Sequence, residues 1–181
     1  MKKIILFIVL GLSIFTARGQ EMNADSAKIH SVVKSFGALA DQSAFEYLGS
    51  LFTKTVTVDY TSAFGGEPAV VERQDLMTQW AALLPGFDVT YHDISDVNID
   101  YMKDKAKVVA KIKASHFLGE DGFWQITGTY VFVMKKVDEQ WLICSLTLIS
   151  NGESGSRDVL AKAGEKAKQR LSERQARALK L

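Results

Sequence analysis

Four residues in this chain carry side chains suited to acid–base chemistry on a small molecule: Asp41, Tyr60, His92 and His116. His116 is the most informative of them. It ends the stretch from Lys105 to Leu118, in which Ala106, Val108, Ala110, Ile112 and Ala114 alternate with Lys105, Lys107, Lys111 and Lys113. A period of two places the small apolar residues on one face of a strand and most of the lysines on the other, and His116 is the next inward position. A histidine there is either a core residue tied to a carbonyl or part of a site. Buried ionisable groups are costly unless paired, so several inward ones should find each other. A carboxylate bonded to one imidazole nitrogen fixes the tautomer and raises the basicity of the other nitrogen. A second histidine adds an acid/base, and a tyrosine adds a donor to a carbonyl. That set suffices for proton abstraction beside a carbonyl and loss of water. Two histidines and an aspartate are also a zinc or iron(II) set, but nothing in their spacing selects a metal, and none is expected.

The elements that must position these groups can be read in order. Residues 24–40 form an amphipathic helix, with Ile29, Val32, Val33 and Phe36 recurring at helical steps; His30 lies off that stripe and has no role. Asp41 falls in the joint before a second short helix, whose start is marked by Ser43-x-x-Glu46, a capping-box pattern. Thr55 to Ser62 alternates as a strand with Val56, Val58 and Tyr60 on one face. Phe64 to Pro68 is a loop, and Arg73 to Leu84 is a helix stopped by Pro85-Gly86. Four strands follow at meander spacing: 88–100, with a bulge because its alternation falters, then 105–118, 123–136 and 140–150. Residues 151–156 are a polar linker, and 157–181 a basic helix with a weak alanine-rich stripe, expected to be mostly solvated. The order predicts an α+β fold, a curved antiparallel sheet with helices closing a cone around an apolar cavity.

Composition sets the outer limits. The 181 residues suit one domain, and a net charge of +1 gives no field for nucleic acid. The single cysteine, Cys144, sits in an apolar run and reads as core packing. Lys2 and Lys3, the apolar run 4–15 and the small residues up to Gly19 read as a bacterial secretory signal. Its removal leaves a formal charge of about −2. The expected organisation is therefore a signal over 1–20, a pocket domain over 21–151 and a basic helical tail over 152–181. The mature protein would be periplasmic or secreted, in a Gram-negative bacterium, with no transmembrane segment.

Several short runs carry a resemblance. Ala38-Leu-Ala-Asp41, Leu51-Phe-Thr53, Val58-Asp-Tyr60-Thr-Ser62, Val89-Thr-Tyr-His92, Lys113-Ala-Ser-His116, Gly128-Thr-Tyr130 and Gln140-Trp-Leu-Ile143 occur in the order and spacing of SnoaL-like proteins of the NTF2-like superfamily. The chain resembles the branch that contains scytalone dehydratase and bile-acid 7α-dehydratase. That resemblance implies a cone-shaped α+β barrel with a pocket, no cofactor, and assembly as a homodimer or homotrimer. It also implies an Asp41–His116 dyad, His92 as a second proton-moving histidine, and Tyr60 orienting a carbonyl. Ala40 stands where scytalone dehydratase has a tyrosine, and Gly128 and Tyr130 replace a serine and an asparagine, so Tyr130 would take over a polar role. Tyr130, Phe64, Trp80 and Ile112 are expected to bind the substrate. The leading reading is a lyase (hydro-lyase) or isomerase acting on a small apolar cyclic or polyketide-like molecule. The alternatives are a pocket that binds without reacting, and an interaction protein that uses its sheet face and tail.

Overall fold

The computed structural model describes residues 3–178, with side chains from Met22 to Glu173. The signal expectation for residues 1–20 falls on residues whose side chains lie outside that description. No helix among the described residues is long and apolar enough to cross a membrane.

Helix α1 (Lys3–Asp41) lays Ile29, Val33, Phe36 and Ala40 into the core at three- and four-residue steps. It ends where the helical stripe ends, at Asp41. Helix α2 (Phe45–Ser50) follows, but the capping box does not form. Ala44 is its N-cap, with no side-chain cap bond, and Ser43 instead takes a left-handed turn conformation at φ 54°. Strand β1 (Phe52–Asp59) then leads into a single helical turn, α3 (Thr61–Phe64). Tyr60 therefore leaves the strand and becomes the N-cap of α3, where Asp59 accepts the Thr61 N–H and hydroxyl. A short strand, β2 (Ala69–Glu72), follows in the four residues left unassigned between the expected loop and helix. Helix α4 (Arg73–Ala81) is shorter than its apolar spacing suggested, because the chain tightens into a 3-10 turn at Leu84–Gly86.

The long strands β3 (Val89–Met102), β4 (Lys105–Phe117), β5 (Phe123–Val137) and β6 (Gln140–Gly155) form the meander the sequence predicts. With β1 and β2 they make one curved, unclosed six-stranded sheet in the order β2-β1-β6-β5-β4-β3. It is not wholly antiparallel: β1 runs parallel to β6, while every other pair is antiparallel. The alternation of β4 is as expected, with Ala106, Val108, Ala110, Ile112, Ala114 and His116 buried. The bulge expected in β3 lies between Ser95 and Asn98, with Asp96 in a left-handed conformation at φ 50°. A second irregularity in β5, at Thr127/Gly128, brings that backbone against β6. A Cβ on Gly128 would sit 2.3 Å from the Ile149 carbonyl oxygen, so only glycine fits there.

The C-terminal helix α5 (Asp158–Ala178) is not a solvated tail. Val159, Ala163 and Ala167 are buried, and Arg170 donates to the carbonyls of Pro85 and Phe87 and to Asp88. Lys162 and Lys166 both reach Asp121. The alanine stripe looks weak by hydrophobicity. Small side chains nonetheless let a helix approach closely, and here they seat α5 on the 3-10 turn.

Candidate functional site

The sheet's strand register decides which polar groups can meet. Thr90 lies opposite His116 across β3 and β4, and His92 lies opposite Ala114. His92 and His116 are thus diagonal neighbours on one face, and their rings meet edge to face at 5.6 Å. On the far side, His116 pairs with Trp124 of β5, whose indole lies 5.1 Å from the imidazole, and Phe87 covers it at 5.0 Å.

Asp41 selects His92. The expected Asp41–His116 pair does not form. Asp41 Oδ1 lies 2.6 Å from His92 Nδ1 and accepts the Thr90 hydroxyl at 2.9 Å; Oδ2 accepts the His92 backbone N–H at 2.9 Å. The reason is the path of α1, which ends over the edge strand β3 rather than over β4. Gly37, one turn before Asp41, makes this approach close: a Cβ there would meet His92 Cβ, the His92 carbonyl oxygen and Ile94 Cδ1, each at 3.2 Å. Burial pushes the Asp41 carboxyl up. The bonds from His92 and Thr90 outweigh it and hold the carboxyl below its ordinary value. An ionised Asp41 can only accept, so Nδ1 of His92 carries the proton of the bond and Nε2 is left as the basic nitrogen. The His92 side chain is 9% exposed and that of Asp41 18%, so the pair is largely shielded from water.

His116 is in a different state. It is 5% exposed, and its Nδ1 is buried with no hydrogen-bond partner among the described residues. Burial lowers its pKa to about 4, helped by the neighbouring His92 and only weakly opposed by the Trp124 backbone and Asp41. His116 is therefore neutral at physiological pH. The two histidines of one chamber are thus chemically distinct: one is tied to a carboxylate and the other is kept uncharged by its surroundings.

Both rings face a chamber of about 160 Å³. Its wall includes Phe36, Ala40, Tyr60, Phe64, Trp80, Trp124 and Tyr130, with Leu83, Leu84, Leu148 and Leu160 closing it. The polar side chains in the wall, besides two indoles, are Tyr60, His92, His116 and Tyr130, and none is a lysine, arginine or carboxylate. The hydroxyls of Tyr60 and Tyr130 have no protein partner among the described residues. Burial raises the pKa of both, Tyr60 further through the neighbouring Tyr130 and Tyr130 further through Asp41, so both remain protonated donors. Of the residues expected to bind substrate, Phe64, Trp80 and Tyr130 line the chamber. Ile112 does not: it packs in the core opposite Ile94, one inward position before Ala114 on β4. Among the described residues, no three His, Cys, Asp or Glu side chains converge as a metal site requires.

Among the contributors that sequence reasoning missed are Thr90, Trp124 and Leu160. Thr90 shares the inward face of β3 with His92, and its hydroxyl was the available signal. Trp124 is the inward residue opposite His116, readable only once strand register is known. Leu160 comes from α5 and completes the wall.

A family model described as a SnoaL-like domain matches residues 21–147. The chain belongs to this family. Among solved structures of similar fold is the Kfla4162 protein from Kribbella flavida, with a TM-score of 0.71 at 21% identity over 81% of this chain and 99% of that one. A scytalone dehydratase candidate from Novosphingobium aromaticivorans aligns with a TM-score of 0.69 at 20% identity, covering 77% of this chain and 92% of its own. A type 2 hexachlorocyclohexane dehydrochlorinase, LinA, aligns with a TM-score of 0.63 at 14% identity, covering 75% and 91%. These likenesses establish the NTF2-like fold. No curated protein matches the chain by sequence.

Proposed function

We propose that this SnoaL-like protein is a cofactor-independent lyase that eliminates water, or an equivalent leaving group, from a small neutral ring compound bearing a carbonyl. The observation that supports it is the Asp41–His92 pair, with Nδ1 committed to the carboxylate at 2.6 Å and the ring exposed to an apolar chamber. In this reading His92 Nε2 takes a proton from the carbon beside the carbonyl, and Asp41 stabilises the imidazolium that forms. The electron pair of the broken C–H bond passes to the carbonyl oxygen, which Tyr60 and Tyr130 meet with hydrogen bonds. The enolate then collapses, forming the C=C bond as the C–O bond breaks. The leaving hydroxide departs as water with the proton that His92 had taken. Neutral His116, beside His92, hydrogen-bonds the leaving oxygen.

The roles of the two histidines are thereby exchanged relative to the sequence expectation: the dyad base is His92 and the second histidine is His116. Two structural neighbours are named for eliminations, a dehydratase and a dehydrochlorinase, which supports the reaction class by analogy of fold only. The uncharged wall excludes carboxylates and phosphates as the part of the substrate that enters. The test is elimination from 3-hydroxycyclohexanone and its ring-substituted relatives, read as appearance of the conjugated enone by ultraviolet absorbance. His92→Gln should abolish the rate while Phe64→Leu retains part of it. No rate above buffer across the series, or a rate unchanged in His92→Gln, overturns the proposal, and a pocket that binds without reacting becomes the better reading. The same reading has residues 1–20 exporting the chain, so N-terminal sequencing of the mature protein from a periplasmic extract should begin near Gln20.

A further inference from the structure

The chamber around His92 and His116 is small. At about 160 Å³ it matches an apolar cavity that takes a molecule the size of benzene, and it falls below the ~300–1,000 Å³ typical of ligand sites. It is not isolated. On its outer side lies an open groove of about 410 Å³, formed between β1, α3, β2 and α4. Four residues, Tyr60, Phe64, Trp80 and Leu83, belong to the walls of both spaces. Beyond them the groove is lined by Val58, Ala69, Val71, Leu76, Gln79 and Glu67. The central partition is Phe64, which is 50% exposed and touches Tyr60 at 6.5 Å and Trp124 at 5.9 Å. The Arg157 guanidinium, held by Glu153 and the Ala63 carbonyl, lies 5.2 Å from the Phe64 ring centroid. Chamber and groove together reach the volume of an ordinary ligand site, which neither the chamber nor its four polar groups imply alone.

We propose that the groove is the outer subsite of the same pocket, and that the substrate is elongated: one ring in the chamber, and an apolar chain that passes Phe64 into the groove. This rests on the pocket reading above but not on its chemistry. The chain is of aliphatic character, because the groove floor beyond the partition is Val58, Ala69, Val71 and Leu76. Its far end is not anionic, because the charged group at the groove is the Glu67 carboxylate and no lysine or arginine lines it. A neutral end that donates a hydrogen bond suits Glu67 and Gln79.

The test is binding of cyclohexanone and its 4-ethyl, 4-butyl and 4-hexyl derivatives to the full chain, followed by tryptophan fluorescence, since Trp80 and Trp124 border the chamber. Each methylene that reaches the groove should tighten binding by about two- to fourfold. Ala69→Trp and Gln79→Trp each fill the groove from an exposed position. Both should leave cyclohexanone affinity unchanged and remove the gain with chain length. If cyclohexanone binds but the alkyl series gains nothing, or the gain survives in both variants, the outer subsite does not exist and the chamber reading stands. If cyclohexanone itself does not bind, the chamber reading fails first and the subsite falls with it. Retained folding of each variant is checked by its thermal unfolding curve. If one variant unfolds, the other decides.

Discussion

Replacing Asp41 by asparagine tests the pairing that distinguishes the two histidines. The carboxylate accepts three hydrogen bonds, from the Thr90 hydroxyl at 2.9 Å, the His92 backbone N–H at 2.9 Å and the His92 ring at 2.6 Å. An asparagine offers one oxygen in place of two and turns an N–H₂ toward a group that is itself a donor. One bond is lost outright, and the others fall from charged to neutral strength. Hydrogen bonds to charged groups contribute about 1.5–3 kcal/mol each and neutral ones about 0.5–1.5 kcal/mol, so the variant should lose about 2–4 kcal/mol of stability. The remaining N–H₂ is best satisfied if His92 Nδ1 becomes an acceptor, which moves the ring proton to Nε2 and removes the base from the chamber. Urea unfolding reads the first effect, and ¹⁵N chemical shifts of the imidazole nitrogens read the second. The tautomer change should appear in His92 and not in His116. A loss below about 0.5 kcal/mol with an unchanged His92 tautomer would refute the reasoning, because the three bonds would then carry no net free energy.

Three further predictions follow from neighbouring features. His116 binds its proton near pH 4 when folded and near 6.5 when not, so the unfolded chain protonates first. Stability is complete above about pH 6.5 and falls by about 3 kcal/mol as pH drops toward about 4; His116→Phe should flatten that limb of a pH series of urea midpoints. Gly37→Val drives two methyl groups into His92 and Ile94, at a cost of about 1–3 kcal/mol, and should lift α1 enough to give the same His92 ¹⁵N change as Asp41→Asn. Tyr130→Phe removes a hydroxyl with no protein partner, so thermal stability should hold within about 1 kcal/mol while cyclohexanone binding weakens about three- to tenfold. A large stability loss there would mean the hydroxyl serves the fold.

The strands of this fold were readable because their burial alternates. Ala106 to His116 in β4 and Trp124 to Met134 in β5 follow period two almost without exception. The inward direction of His116 followed from the same pattern, and the family from a resemblance carried by short runs such as Val89-Thr-Tyr-His92 and Lys113-Ala-Ser-His116. What could not be read was partner choice. Asp41 lies 51 residues from His92 and reaches it only because α1 crosses over β3, and that crossing is set by helix packing at Gly37. Ile112 and Ala114 are both inward on β4, yet only Ala114 borders the chamber, since the cavity's edge depends on where the helices end. β2 was missed because four residues between Gly/Pro-rich turns and a helix carry too little pattern to register as a strand. α5 was misjudged because hydrophobicity undervalues alanine, although Ala163 and Ala167 are what allow the close contact.

The most direct measurement of the central claim needs no knowledge of the natural substrate. In D₂O, a base in the chamber should exchange the hydrogens beside the carbonyl of bound cyclohexanone for deuterium, followed by ¹H NMR. Wild type should exchange them faster than buffer, His92→Gln should return the rate to that of buffer, and His116→Gln should retain a measurable part of it. Exchange that survives in His92→Gln and vanishes in His116→Gln would contradict the account and restore His116 as the base.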